Sequence, residues 1–256
     1  MIEILLDNLG YFNKPIYNFH CYFSKNTISE ISCDLAAIEF VIKILGNPGF
    51  AELLKAYDKN EPGILVISNG TIRYQVIYGE KGIMNESINK NGKIVAVNDV
   101  IEDRSIINKK ILLDNIIPAG QLLTCTRELI DDFVVVNERT GLDYFTGRGR
   151  QRFKRAGVNF CDSTNKYYKR LGFDGAIEPD GSVKHGDSFL YYTSEGSGFL
   201  RLLNILPELD YCKATGKILI VPNYTMSLHP GVIKELKNIL VELEISAIIT
   251  KEGGDY

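Results

Sequence analysis

The chain has no tryptophan, only three methionines and three histidines among its 256 residues, and no apolar run near the ~20 residues that a membrane-crossing helix needs. Its start, Met1-Ile2-Glu3-Ile4-Leu5-Leu6-Asp7, lacks the basic flank and apolar centre of a secretory signal. The expectation is a cytoplasmic protein, or a virion component if the source is viral, with no membrane partner. The five cysteines, Cys21, Cys33, Cys125, Cys161 and Cys212, include no Cys-x-x-Cys pair and no repeated spacing. An odd, irregular set argues against a disulfide framework and for reduced thiols. Internal repeats and low-complexity runs are missing too. With 45% hydrophobic and 24% charged residues, the composition is that of a folding globular chain, long enough for one large domain or two smaller ones.

Local patterns point to a mixed α/β fold. Thr27-Ile28-Ser29-Glu30 reads as a capping box, and Ile31, Leu35, Ile38, Ile42 and Leu45 follow at helical spacing, with Gly46 and Pro48 as the stop. A short second helix is expected over 50–57 and another over 119–129. Ile64 to Ser68, Asn69-Gly70 and Thr71 to Tyr78 read as a hairpin, since Asn-Gly tolerates the positive φ of a tight primed turn. Ile72, Tyr74, Val76 and Tyr78 then share one face. Further strands are expected over 93–98, 132–136 and 188–193. The last forty residues read as a βαβ unit: a strand over 217–221, an amphipathic helix entered through Pro230, and a strand over 246–250. The first part is thus α+β and the end is βαβ. The Gly-, Asp- and Arg-rich stretch 141–149 suggests domains at 1–140 and 141–256, or one continuous domain.

Charge is distributed unevenly. Arg148, Arg150, Arg152, Lys154, Arg155, Lys166, Lys169 and Arg170 stand against the single acid Asp162. That stretch carries +7, so in a chain of net charge −3 the remainder sums to −10. Guanidinium groups fork onto phosphate oxygens, flanking glycines admit a ligand to the backbone, and the aromatics Tyr144, Phe145, Phe153, Phe160, Tyr167 and Tyr168 could stack on bases. The segment is therefore a candidate surface for a polyanion (nucleic acid or a nucleotide phosphate) or for an acidic protein surface. The opposite reading is that these cations meet the chain's own acids while the aromatics fill the core.

Tyr167-Tyr168-Lys169-Arg170-Leu171-Gly172-Phe173 resembles the late helix of the GNAT acyltransferases. The resemblance implies an acyl-CoA-dependent acyltransferase in which Tyr168 serves as general acid and the Gly147-Arg148-Gly149 backbone holds the CoA pyrophosphate. A short amphipathic helix stopped by Gly172 gives the same letters.

Other constellations carry less. Asp174, Glu178, Asp180, His185 and Asp187 could hold a divalent metal, but Pro179-Asp180-Gly181 and Gly186-Asp187 are turns by their chemistry, so a solvated hairpin is expected and no metal is assigned. Ser194-Glu195-Gly196-Ser197-Gly198 has glutamate where a serine elbow needs glycine. His229, just before Pro230, is placed to cap a helix or meet an anion there. The reading is an intracellular binding or assembly protein acting through the Arg148–Arg170 segment. Its alternatives are the GNAT-like enzyme and a structural subunit of a larger, viral or homo-oligomeric assembly, and nothing here names a cofactor.

Overall fold

The computed structural model describes residues 1–11, 14–16, 19–33, 35–46, 54–99, 127–136, 140–145, 147 and 149–252. Two units partition the chain: Met1–Lys25 with Ile31–Phe133 and Glu252–Tyr256, and Asn26–Glu30 with Val134–Lys251. The chain passes into the second unit between Phe133 and Val134, a little before the glycine-rich stretch.

The first unit contains β1 (Ile2–Asp7), β2 (Leu9–Tyr11), β3 (Lys14–Ile16) and β4 (Phe19–Phe23), then, after β5 (Ile28–Cys33), α1 (Leu35–Gly46), β6 (Lys55–Ala56), β7 (Gly63–Ser68), β8 (Ile72–Gly79), β9 (Gly82–Lys90) and β10 (Lys93–Asp99). Its main sheet runs β10-β9-β8-β7-β1-β4, antiparallel throughout. Alternation drives it: Ile2, Ile4 and Leu6 on β1 and Ile72, Tyr74, Val76 and Tyr78 on β8 are buried while their neighbours are not. The expected hairpin is present with a different turn. Only Gly70 takes a positive φ, +91°, and Asn69 Oδ1 instead accepts the amides of Thr71 (2.9 Å) and Ile72 (2.7 Å).

Thr27 to Glu30 caps no helix. Ile28–Cys33 is a strand and α1 starts only at Leu35. Sheet pairing takes the backbone groups a cap would use, as the Ala247 amide donates to the Thr27 carbonyl at 3.1 Å. Glu30, cast as the reciprocal cap, accepts instead from the Tyr224 hydroxyl (2.7 Å) and the Lys237 ammonium (2.6 Å). The helix expected over 50–57 gives way to strand β6 at Lys55–Ala56, and residues 50–53 lie outside the described residues. Of the helix expected over 119–129, residues 127–131 are helical and 119–126 lie outside the described residues.

The second unit holds α2 (Thr140–Phe145), α3 (Arg150–Arg155), α4 (Phe160–Arg170), β12 (Ala176–Ile177), β13 (Ser182–His185), β14 (Ser188–Tyr191), α5 (Ser197–Thr215), β15 (Ile218–Val221), α6 (Pro230–Leu243) and β16 (Ala247–Glu252), with β11 (Phe133–Val135) at its entry. One sheet has the order β11-β15-β16-β5, and β15 and β16 are parallel, so the βαβ unit forms as read. All four residues of β15 are buried, as in a strand covered on both faces. Helix α6 opens with His229 as N-cap, its Nδ1 accepting the Gly231 amide at 3.2 Å, and Pro230 follows where its missing amide costs nothing. Helix α5 is buried along most of its length, from Phe199 through Leu202, Leu203, Ile205, Leu206 and Leu209 to Cys212, and stops at Gly216 in the left-handed region. The hairpin β13–β14 with β12 forms a separate antiparallel sheet of three strands. Among the described residues, Cys21, Cys33, Cys161 and Cys212 are buried thiols outside any disulfide.

One residue in the first unit carries a disproportionate share of the loop that follows β6. Asn8 holds φ +46° and its side chain donates to the carbonyls of Asp58 (3.2 Å) and Glu61 (2.8 Å) while accepting the Asp58 amide (2.8 Å). Asn8→Ala removes all three bonds and leaves a β-carbon at positive φ, so it should cost about 2–4 kcal/mol in urea unfolding. Asn8→Gly, which relieves the backbone, should cost less.

Candidate functional site

Three of the eight basic residues, Arg152, Lys166 and Arg170, pair with the chain's own acids. Arg148 lies outside the described residues. Arg152 turns inward from α3: its guanidinium sits 4.8 Å from both the Phe153 and Tyr211 ring centroids and pairs with Glu208 of α5. Glu208 is 1% exposed, and burial pushes its carboxyl up to about 7 despite the adjacent Arg152. Lys166 approaches Asp210 at 3.6 Å, and the same carboxylate accepts the Tyr167 hydroxyl at 2.5 Å. Arg170 forks onto Glu242 at 2.5 and 2.7 Å and donates to Glu235 at 2.7 Å, joining α4 to α6. The Arg170 guanidinium holds the Glu242 carboxyl below its usual range.

Lys166 and Arg170 are exposed as well as paired, and four more cations share the surface with them. Arg150, Lys154 and Arg155 on α3 and Lys169 on α4 are exposed, and none has a carboxylate partner among the described residues. Arg150 lies 5.3 Å from the Tyr144 ring and donates weakly, at 3.4 Å, to the Pro179 carbonyl. The aromatics that might have stacked on bases pack on each other: Tyr144 lies flat on Phe160 at 3.8 Å, with Phe145 and Phe153 edge-on to it. Tyr168 is fully buried, donates its hydroxyl to the Phe199 carbonyl at 3.0 Å, and is held protonated by burial. The hydroxyl to which the GNAT resemblance gave a general-acid role thus donates within the core.

A cavity of about 350 Å³ opens in the second unit where α5 begins and where the chain has left β15 for α6. Phe173, Phe199, Leu228 and Val232 form apolar wall, and His185, Glu195, Ser227 and His229 supply polar groups. It thus lies beyond the carboxyl end of a parallel strand, where ligands of open α/β sheets bind. His185, at the end of β13, meets the Asp174 carbonyl through Nδ1 at 2.7 Å and the Glu195 carboxylate through Nε2 at 2.8 Å. Both partners are acceptors, so the ring satisfies both as an imidazolium. Glu195 accordingly raises the His185 pKa above its ordinary value, with the Asp174 carbonyl adding to the effect. Gly175 makes room for the ring, since a β-carbon there would stand 2.8 Å from His185 Cε1. Helix α5 has Gly196 as its N-cap and no side-chain cap, and Gly196 and Gly198 line the cavity.

The acids near this hairpin do not converge. Asp180 accepts the amide (2.9 Å) and hydroxyl (2.7 Å) of Ser182 within its turn. Among the described residues no group of three or more His, Cys, Asp or Glu side chains could hold a metal. The His185–Glu195 pair was not read from the sequence, because β14 intervenes between its members and no local spacing encodes a contact made by folding a hairpin back on a helix start.

No protein-family model matches the chain, and no characterised protein matches it by sequence. Solved structures do match in three dimensions. An SMC head bound to the C-winged helix domain of ScpA superposes over 98% of this chain and 89% of that one, with a TM-score of 0.55 at 14% identity. The SMC head domain from Thermotoga maritima gives 0.52 at 15% identity, over 98% and 88%. An SMC head with an extended coiled coil, bound to the C-terminal domain of ScpA derived from Pyrococcus furiosus, gives 0.53 at 10% identity, over 98% and 89%. The fold resembles that of SMC head domains. At these identities the likeness is one of α/β architecture. No helix among the described residues is long and apolar enough to cross a membrane.

The buried Glu208 makes stability depend on pH in a defined direction. Its folded pKa of about 7 exceeds its ordinary 4.5, so its contribution is most favourable below about 4.5 and is lost as pH rises through about 7. Thermal melts of Glu208→Gln should therefore show a flatter pH profile across that window, the difference from wild type being on the order of 3 kcal/mol. Arg152→Met removes the guanidinium that holds this carboxyl down, so Glu208 should fold protonated at neutral pH and the melting temperature of the variant should fall relative to wild type mainly as pH rises above about 7.

Proposed function

We propose that this chain is a binding and assembly protein on an SMC-head-like α/β fold, engaging a phosphate-bearing polyanion through the exposed cations of α3. The observation that carries the reading is the division within the basic segment. Arg152, Lys166 and Arg170 pair with the chain's own acids, whereas Arg150, Lys154 and Arg155 stand exposed on one helix without a carboxylate partner among the described residues. Exposed guanidinium and ammonium groups hold phosphates through charge-assisted bonds and displace counterions from a nucleic-acid strand. Two of the similar SMC heads are solved with a ScpA domain bound, which supports assembly as part of the role, with an acidic protein surface as the partner chemistry these cations would also suit.

Binding of a fluorescent single-stranded oligonucleotide should weaken steeply as salt is raised. Arg150→Glu/Lys154→Glu/Arg155→Glu should weaken it further and lower the slope of log affinity against log salt by about 2, from about 0.7 per lost phosphate contact. An affinity indifferent to salt and to the triple substitution would overturn the reading.

A second reading is favoured by the cavity at the start of α5. A nucleotide phosphate could seat on the uncapped amides following Gly196, beside His229 and Ser227, with the apolar wall for the base. The sequence has no G-x-x-x-x-G-K-[S/T] run, so the phosphate would rest on these groups and not on a loop of that kind. Gly196 has open space where a β-carbon would go and an extended backbone suited to a cap. Gly196→Asp should therefore hold or raise the melting temperature while abolishing calorimetric binding of ATP, because its carboxylate would occupy the anion's place.

A further inference from the structure

Among the described residues, strand β14 forms an outer edge of its three-stranded sheet, paired with β13 on one side. Such an edge presents unpaired backbone donors and acceptors, and proteins usually blunt it with charge, proline or a covering segment. Here the strand reads Ser188-Phe189-Leu190-Tyr191, and every one of its residues is exposed. Phe189, Leu190 and Tyr191 are 59%, 50% and 52% exposed. Three consecutive large apolar side chains on an open edge are a surface awaiting a partner.

Register defines what that partner presents. Leu190 stands opposite Val183, which is fully buried, so Leu190 lies on the inner face and overhangs the rim of the core. Phe189 stands opposite Lys184 and Tyr191 opposite Ser182, placing both aromatics on the outer face. The Lys184 ammonium leans 5.9 Å from the Phe189 ring centroid, out over the edge strand. A strand added beside β14 would bring one side chain against Leu190 and alternate ones against the aromatics, and an acid among the latter would meet Lys184.

We propose that β14 receives an extended acidic–apolar peptide segment of a partner protein as a fourth strand. Backbone bonds would supply the affinity, and Lys184 with the alternating apolar contacts would supply the selection. A second copy of this chain is the less suitable occupant. Side chains of this size bury about 150–250 Å² when fully covered, so three half-exposed ones offer roughly 225–375 Å² per copy, against ~800 Å² per partner in a stable interface. The proposal stands apart from the α3 and cavity readings and uses none of their residues.

The test uses the full chain and a labelled synthetic peptide of about ten residues alternating valine and glutamate. Its anisotropy should rise on binding. The same peptide with lysine for glutamate should bind about tenfold more weakly. Lys184→Glu, an exposed change, should invert that preference, and Leu190→Asp should weaken both peptides. Hydrogen exchange should slow at amides of 188–191 when the valine–glutamate peptide is added. Failure to bind at about 1 mM peptide, equal affinity for the two peptides, or unchanged exchange in β14 would overturn the proposal. So would a dimer in light scattering that Leu190→Asp dissociates, since the edge would then belong to a second copy.

Discussion

A carboxylate sealed inside a helix that is apolar nearly all round is the constraint around which the second unit is arranged. Glu208 sits on α5 among Leu202, Leu203, Ile205, Leu206 and Leu209, where an unpaired charge would be intolerable. Arg152 answers it from α3, its guanidinium flanked by Phe153 and Tyr211. Phe153 is the fully buried side chain of α3 and Arg152 lies half-buried beside it, while Arg150, Lys154 and Arg155 on the same helix are exposed.

The basic stretch therefore serves two ends, and the sequence could show only their sum. Eight cations in one segment look alike on paper. What separates Arg170 from Lys169 is that α6 brings Glu235 and Glu242 under one and nothing comparable under the other. Those acids are far along the chain and read in isolation as the polar stripe of an amphipathic helix. Likewise Tyr168, in a run resembling an acyltransferase helix, is recognisable as a core tyrosine only once Phe199 lies against it with rings stacked at 4.4 Å.

Elements whose determinants are local were legible. The βαβ ending follows from an apolar run, Pro230 at a helix start and a second apolar run, and the β7–β8 hairpin from alternation around Asn69-Gly70. The turn geometry was not, because Asn69 uses its side chain on two amides where positive φ was anticipated. The capping box misled for a related reason. Thr27 to Glu30 satisfies the local rule for a helix start, but its backbone is claimed by β16, whose residues are more than two hundred positions away. Local propensity is a weak prior when a distant strand offers the same groups a continuous ladder. The candidate site was half legible: His229 and the glycines at the start of α5 stand out in the sequence, while the His185–Glu195 pair does not.

The detour of Asn26–Glu30 into the second unit has a topological consequence. The chain crosses between units on entering and leaving this short stretch and again at Phe133/Val134 and Lys251/Glu252. No single cut separates two self-sufficient pieces. A fragment starting at Val134 would keep α2 to α6 but forfeit β5, the border strand next to β16, and would be born with an open lateral seam that another fragment's strand could fill.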